Sequence, residues 1–243
     1  MRVPLPSRSS DLPPLPDGFG TALDAGLEAL GIELSPASRT GIEAHVRLLL
    51  AWTAAINLTA VRDPERVATA HVIDSLAALP LLRELGAADL LDIGSGGGFP
   101  GLPLALALPA RRALLVESIG KKARFLETAV ADLVALGSLR GGAVSVATAR
   151  AEALGGDPAH RGRWPIVVAR AVASLEELVG LAAPLLAPGG RLVAWKRGDL
   201  GDEIAAAERR LRSLDGGRIR LVDPPGAAAA GIPGHRLVVV TTR

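Results

Sequence analysis

The chain predicts an α/β fold: a seven-stranded, mostly parallel sheet preceded by a small helical region. Three observations carry this. After Gly86, short apolar runs alternate with helical patterns. The first run opens into a glycine-dense stretch, LLDIGSGGGFPG, from Leu90 to Gly101. The last two runs have no helix between them, only the loop DPPGAAAAGIPG, so they should pair antiparallel at the end of the sheet.

Taken in order, residues 1–18 carry Pro4, Pro6, Pro13, Pro14 and Pro16 among serines and read as a flexible or extended tail. Residues 19–85 read as a mainly helical N-terminal region. Ser35-Pro36 looks like an N-cap with proline at the first helical position, and Ile42, Val46, Leu49 and Leu50 recur at helical spacing. Residues 86–243 read as the α/β domain, with strands at 90–94, 112–117, 143–147, 165–169, 190–195, about 218–222 and 236–242. Pro188-Gly189-Gly190 is a turn feeding the fifth strand. A hydrophobic content of 49% is ample for a core, and with only 2% aromatics, alanine, leucine and valine must do the packing.

Composition also excludes chemistry. The absence of cysteine removes disulfides, thiolate metal sites and cysteine nucleophiles. His45, His160 and His235 lack metal-ligand spacing, so no metal is expected. No leader-like hydrophobic run follows the early basic residues, and no 18-residue apolar run is free of charge or proline. A cytoplasmic protein without a membrane association is the expectation. Net charge is only +2, and of the 27 basic residues just Lys121, Lys122 and Lys196 are lysine.

A buried strand that breaks into glycines and then a helix lets a ligand approach bare backbone, with unpaired N–H groups behind it. The dinucleotide pattern G-x-G-x-x-G, begun at Gly94, would need glycine where Phe99 stands. The spacing is instead an acid, Asp92, followed by Gly94, Gly96 and Gly98. Glu117 ends the next apolar run, ALLVE, where an acid can accept hydrogen bonds from both ribose hydroxyls. Glu117 supports an adenosine site without choosing between cofactors. The acid and three alternating glycines resemble motif I of class I S-adenosylmethionine (SAM) methyltransferases, a Rossmann-like fold whose five βα units and terminal hairpin match the order of elements here. That resemblance implies SAM as cofactor, bound by Asp92, Gly94, Gly96, Gly98 and Glu117.

A more specific resemblance follows. AWTAAINLTAVRDP (Ala51 to Pro64), HVIDSL (His71 to Leu76), GSGGGFPGLPLAL, ESIGKKARFL and ARAVASL occur in the order found in the bacterial 16S ribosomal RNA guanine-N7 methyltransferases, the RsmG family, formerly called glucose-inhibited division protein B. Thr53 departs from the asparagine usual after the tryptophan. The resemblance implies methylation of N7 of a guanine in the 530 loop of 16S rRNA, with rRNA or the small ribosomal subunit as partner; the sequence leaves the oligomeric state open, with a monomer as the favoured reading. It places Gly94 and Phe99 at the SAM site, Ala151 and Glu152 beside the adenine, and Arg170 at the edge of the methyl-donor pocket as a positioning residue. Read alone, Glu152 also suits a helix N-terminal acid, and Arg170 a surface pair with Glu176 or Glu177.

The residues allow this chemistry. Methyl transfer is an in-line displacement, so alignment supplies much of the rate. Cytosine C5 transfer needs a cysteine. Adenine amine transfer typically uses an Asn/Asp-Pro-Pro-aromatic turn after the fourth strand, where this chain has Ala169-Arg170-Ala171. Asp223-Pro224-Pro225-Gly226 comes too late and reads as a loop. Guanine N7 carries a lone pair and no proton, so no general base is expected. Lys121, Lys122 and Arg124 open a helix, Lys196 and Arg197 end the fifth strand, and Arg62 and His71 lie in the N-terminal motifs; these are the candidate RNA contacts. A small-molecule SAM methyltransferase would lack such basic clusters around its pocket. A non-catalytic SAM- or RNA-binding regulator would be expected to lose the loop glycines or Glu117.

Overall fold

The computed structural model describes residues 4–86, 89–108, 112–214 and 216–242. Helix α1 (Asp17–Leu30) stops at Gly31, which takes a left-handed conformation. Helix α2 (Pro36–Ile56) starts as the sequence predicts: Ser35 Oγ accepts from the Ser38 N–H at 3.1 Å, and Pro36 follows. A short α3 (Pro64–Val67) runs into a π-helical turn, Ala68–Ile73, and then α4 (Asp74–Leu76) and α5 (Leu79–Glu84).

Then β and α alternate: β1 (Leu90–Ile93), α6 (Gly101–Ala107), β2 (Ala113–Val116), α7 (Gly120–Ala135), β3 (Val144–Ala147), α8 (Ala151–Gly156), β4 (Trp164–Arg170), α9 (Leu175–Ala182), β5 (Leu186–Arg197), α10 (Gly201–Arg212), β6 (Gly217–Val222) and β7 (His235–Thr242). The seven strands lie in the order β3-β2-β1-β4-β5-β7-β6. β7 is antiparallel to both β5 and β6, so the expected terminal hairpin closes the sheet. β5 begins earlier than the sequence suggests. A bulge opposite Trp164–Ile166 absorbs the Pro-Gly-Gly turn into the strand. Gly190 sits there against three carbonyls, where a Cβ would fall 2.8 Å from Ala187 O.

Successive residues of the central strands face opposite ways. Leu90, Leu115, Val168, Val193 and Val239 pack with Phe19, Leu23, Leu48 and Leu49 of the helical region. Leu91, Leu114, Val167, Leu192 and Val238 pack with Leu178 and Leu211 on the other face. Both faces are therefore dry, as a parallel sheet requires. The N-terminal region joins α6 and α7 in one of these two layers and shares its core with the sheet.

The proline-rich segment departs from the expectation of a flexible tail; its residues 1–3 lie outside the described residues. From Pro4 onward it lies along α2 and α7. Trp52 Nε1 donates to Pro6 O at 2.8 Å, Arg47 Nε to Pro13 O at 2.9 Å, and the Ser9 N–H to Asp132 Oδ2 at 3.1 Å. Prolines lack N–H groups but keep their carbonyls, and two donors of α2, the buried Trp52 and the partly exposed Arg47, use them. Deleting residues 1–15 leaves those donors unpartnered, and we expect a loss of ~1–3 kcal/mol. Urea unfolding of the two chains checks this; an unchanged midpoint contradicts it.

Candidate functional site

The C-terminal ends of β1, β2, β4 and β5 open into a cleft of about 580 Å³. Its floor is the glycine loop. Gly94, Gly96 and Gly98 have φ of +69°, +54° and +90°, so all three alternating positions need a residue free to adopt the left-handed region. Other side chains fix the loop. Glu117 Oε2 accepts from the Gly96 N–H at 3.0 Å and Oε1 from the Ile119 N–H at 2.8 Å. His45, wholly buried on α2, has Nε2 2.8 Å from Gly97 O and thus donates to it. Burial pushes the His45 ring down to about 4, so it is neutral at physiological pH.

Phe99 both packs and lines the cleft. Its ring centroid lies 4.8 Å from that of His45 and 5.0 Å from that of His71, and the Arg170 guanidinium carbon sits 5.4 Å from it. Arg170 does not pair with Glu176 or Glu177. It reaches across to the helical region, where Nη1 donates to Ala70 O at 3.0 Å and Asp74 Oδ2 at 2.8 Å. His71 Nδ1 lies 3.0 Å from Ala70 O and 3.3 Å from Arg170 Nη2, and its Nε2 lies 2.7 Å from Thr59 Oγ1. Burial, with the adjacent Arg170 charge, lowers His71 to about 4.

Several residues expected at the site stand elsewhere. Asp92 does not reach the cleft. It is fully buried behind the loop, where Oδ2 accepts from the Gly101 N–H at 3.0 Å and anchors the start of α6. A Cβ on Gly101 would fall 2.6 Å from that oxygen. Ala151 is buried at the start of α8, and Glu152 is exposed over a separate hollow with Arg161 and Leu181; neither lines the cleft. Lys196 lines the cleft with its charge already paired. Its Nζ donates to Ala173 O at 2.9 Å and pairs with Glu203, which ties the loop after β4 to α10. His71 is likewise committed to Thr59 and Arg170. Lys122 and Arg197 line the cleft mouth, whereas Arg62, Lys121 and Arg124 are exposed outside it.

The cleft also contains residues that sequence reasoning did not select: Leu58, Thr59, Asp74, Trp195 and His235. Asp74 lies within the HVIDSL motif, so a signal existed for it. His235 gave no such signal beyond being a histidine at the start of the last strand.

The glycine loop at the carboxyl edge, the acid after β2 and the antiparallel β7 between β5 and β6 together define a class I SAM-dependent methyltransferase. Solved structures share the architecture. A Corynebacterium glutamicum protein matches with a TM-score of 0.53 at 19% identity, over 92% of this chain and 96% of that one. A Thermotoga maritima SAM-dependent O-methyltransferase matches with a TM-score of 0.50 at 14% identity, over 80% of this chain and 71% of that one. Within the class, the chain belongs to the rRNA small subunit methyltransferase G family, whose signature matches residues 39–222. Relatives named ribosomal RNA small subunit methyltransferase G occur in Roseiflexus sp. (43% identical over 79% of this chain and 78% of theirs) and Burkholderia thailandensis (42% over 82% and 81%). SAM is the cofactor of this class and family.

Burial raises the Asp92 carboxyl from its ordinary 3.8 to about 7. A folded value above the unfolded one means the protonated acid favours the fold, and that advantage is lost as pH climbs from about 3.8 to about 7. Asp92→Asn keeps an oxygen for the Gly101 N–H and removes the charge. It should unfold at a higher temperature than wild type at pH 8, with the gap closing by pH 4. Calorimetric scans at both pH values check this; a variant less stable than wild type at pH 8 contradicts it.

Proposed function

We propose that the chain transfers a methyl group from SAM to N7 of a guanine in the 530 loop of 16S rRNA. Family membership supports methylation of small-subunit rRNA. The choice of N7 rests on one observation: each carboxylate lining the cleft already has a part other than that of a base, Glu117 in the loop and the cofactor ribose, Asp74 in an ion pair. Glu117 is held by two backbone amides, and Asp74 by Arg170 and His235. His71 stays neutral and bonded. A nucleophile that bears no proton suits such a site, since nothing has to be abstracted.

The residues fit the cofactor. Gly94, Ser95, Gly96 and Gly97 give a backbone cradle, whereas Gly98, expected there too, is buried against Leu102 and His45 and does not line the cleft; each Glu117 oxygen has accepting capacity beyond its one amide bond, enough for a ribose diol. Phe99 and Arg170 wall the methyl-donor side. The bound cofactor supplies an electrophilic methyl on a sulfonium; the chain supplies alignment and a cleft lined by Phe99 and Trp195. RNA phosphates meet Lys121, Lys122, Arg124, Arg62 and Arg197 around the mouth. The working state is a monomer acting in the cytoplasm.

The experiment that tests this maps modified guanines in 16S rRNA treated with the protein and SAM. N7-methylguanine in the 530 loop is expected; N6-methyladenine or 5-methylcytosine overturns the reading. His71→Asn should leave the shape of the single-turnover pH profile between pH 6 and 8.5 unchanged, because the wild-type ring titrates near 4. An inflection near pH 6.5 that vanishes in the variant contradicts this.

Lys121→Ala with Arg124→Ala should weaken RNA binding without altering SAM affinity. The salt dependence of RNA affinity should become shallower by roughly one unit per lost phosphate contact. An unchanged slope marks these side chains as solvated surface only.

A further inference from the structure

Five cleft-lining residues come from the helical region, and Asp74 is the one among them that carries a charge: Leu58, Thr59, Ala70, His71 and Asp74. It is only 3% exposed. Its Oδ2 takes Arg170 Nη1 from the end of β4 at 2.8 Å. Its Oδ1 takes His235 Nδ1 from the start of β7. Its backbone carbonyl takes Trp195 Nε1 from β5 at 2.7 Å. β7 runs antiparallel, so all three partners stand at the same edge of the sheet, where the cofactor loop lies. One residue of the helical layer thus gathers three neighbouring strands at the ligand edge.

Burial alone would raise the Asp74 carboxyl; the His235 hydrogen bond and the Arg170 charge outweigh it and hold the group below the ordinary carboxylate range. A buried ion pair adds little stability over an apolar replacement, but removing one partner leaves the other uncompensated. What the arrangement provides is placement. A guanidinium bonded through two acceptors has its plane fixed, and here that plane stands over Phe99.

We propose that Asp74 is a positioning residue for methyl transfer, acting through Arg170 and His235. This rests on the reading of the cleft as the methyl-transfer site. Asp74 touches neither the methyl donor nor the acceptor in this role. It sets the Arg170 plane against Phe99, and it sets the His235 ring, whose Nε2 has no hydrogen bond among the described residues. Asp74→Asn separates this role from docking of the helical layer, because the carbonyl that receives Trp195 Nε1 is unchanged.

The test is a double-mutant cycle of Asp74→Asn and Arg170→Gln, read by single-turnover methylation of small ribosomal subunits. SAM affinity by calorimetry and thermal midpoint are measured alongside. Asp74→Asn should slow transfer by ~10²-fold, the scale of a misplacement of about 1 Å, while SAM affinity changes by less than about fivefold. The double variant should be no slower than Arg170→Gln alone, since both remove the same alignment. A rate within about threefold of wild type, or losses that simply multiply in the double variant, overturns the proposal. If Asp74→Asn does not fold, Asp74→Glu keeps the charge and moves it; wild-type transfer by that variant is equally fatal. A wild-type chain that methylates no rRNA overturns the functional reading and this proposal together. Wild-type transfer with an undiminished Asp74→Asn overturns this proposal alone.

Discussion

Arg170 ends β4 with a guanidinium that donates to two acceptors of the helical layer, Ala70 O and Asp74 Oδ2, with the His71 ring beside it. A half-buried cation left without acceptors would be expensive, so the helical layer must dock before the carboxyl edge of the sheet is satisfied. The π-helical turn Ala68–Ile73 is where this happens. Its widened winding brings a carbonyl, an imidazole and, one residue past its end, a carboxylate to the same guanidinium. Such turns recur at functional sites because they re-aim groups that a regular helix would spread around its axis. The cleft is consequently a joint product of two layers, neither of which contains it alone.

The glycine loop shows the same shared construction. Glu117 holds it from β2, Asp92 anchors its exit from beneath, and His45 bonds Gly97 O from α2. Val172, in the loop after β4, closes over Gly94, where a Cβ would fall 2.7 Å from its methyl group. The loop backbone is therefore fixed before any ligand arrives, and little ordering remains to be done on binding.

The alternation of apolar runs made the strands legible, and β1, β2, β3, β4, β6 and β7 start and end within about a residue of their expected limits. Local chemistry made Ser35 legible as a cap and Gly94, Gly96 and Gly98 as a left-handed loop. Where a side chain points was not legible. Asp92 and Glu117 are both acids beside the loop, yet only Glu117 faces the cleft; the other sits under α6. Lys196 stands at the ligand edge, but its charge is spent on Glu203, a partner seven residues on that no periodicity announces. The proline-rich segment read as loose because prolines punctuate local structure. Its order comes from long-range donors, Trp52 and Arg47, that composition does not reveal. His235 and Asp74 lie far apart in the chain, and their pairing exists only once β7 has entered the sheet.

The position of β7 has a consequence for how the chain is made. It is the seventh strand in order of synthesis, yet it sits between β5 and β6. Until it emerges from the ribosome, β5 has a bare edge and β6 has no neighbour at all; such unpaired edges invite pairing with other chains. The same strand delivers His235 to Asp74 with its first residue. A nascent chain that has already formed its cofactor loop is thus still missing part of its substrate cleft. Completion of the sheet and completion of the cleft are one event, so a methyltransferase of ribosomal RNA cannot finish its own site until its last strand has left the ribosome that makes it.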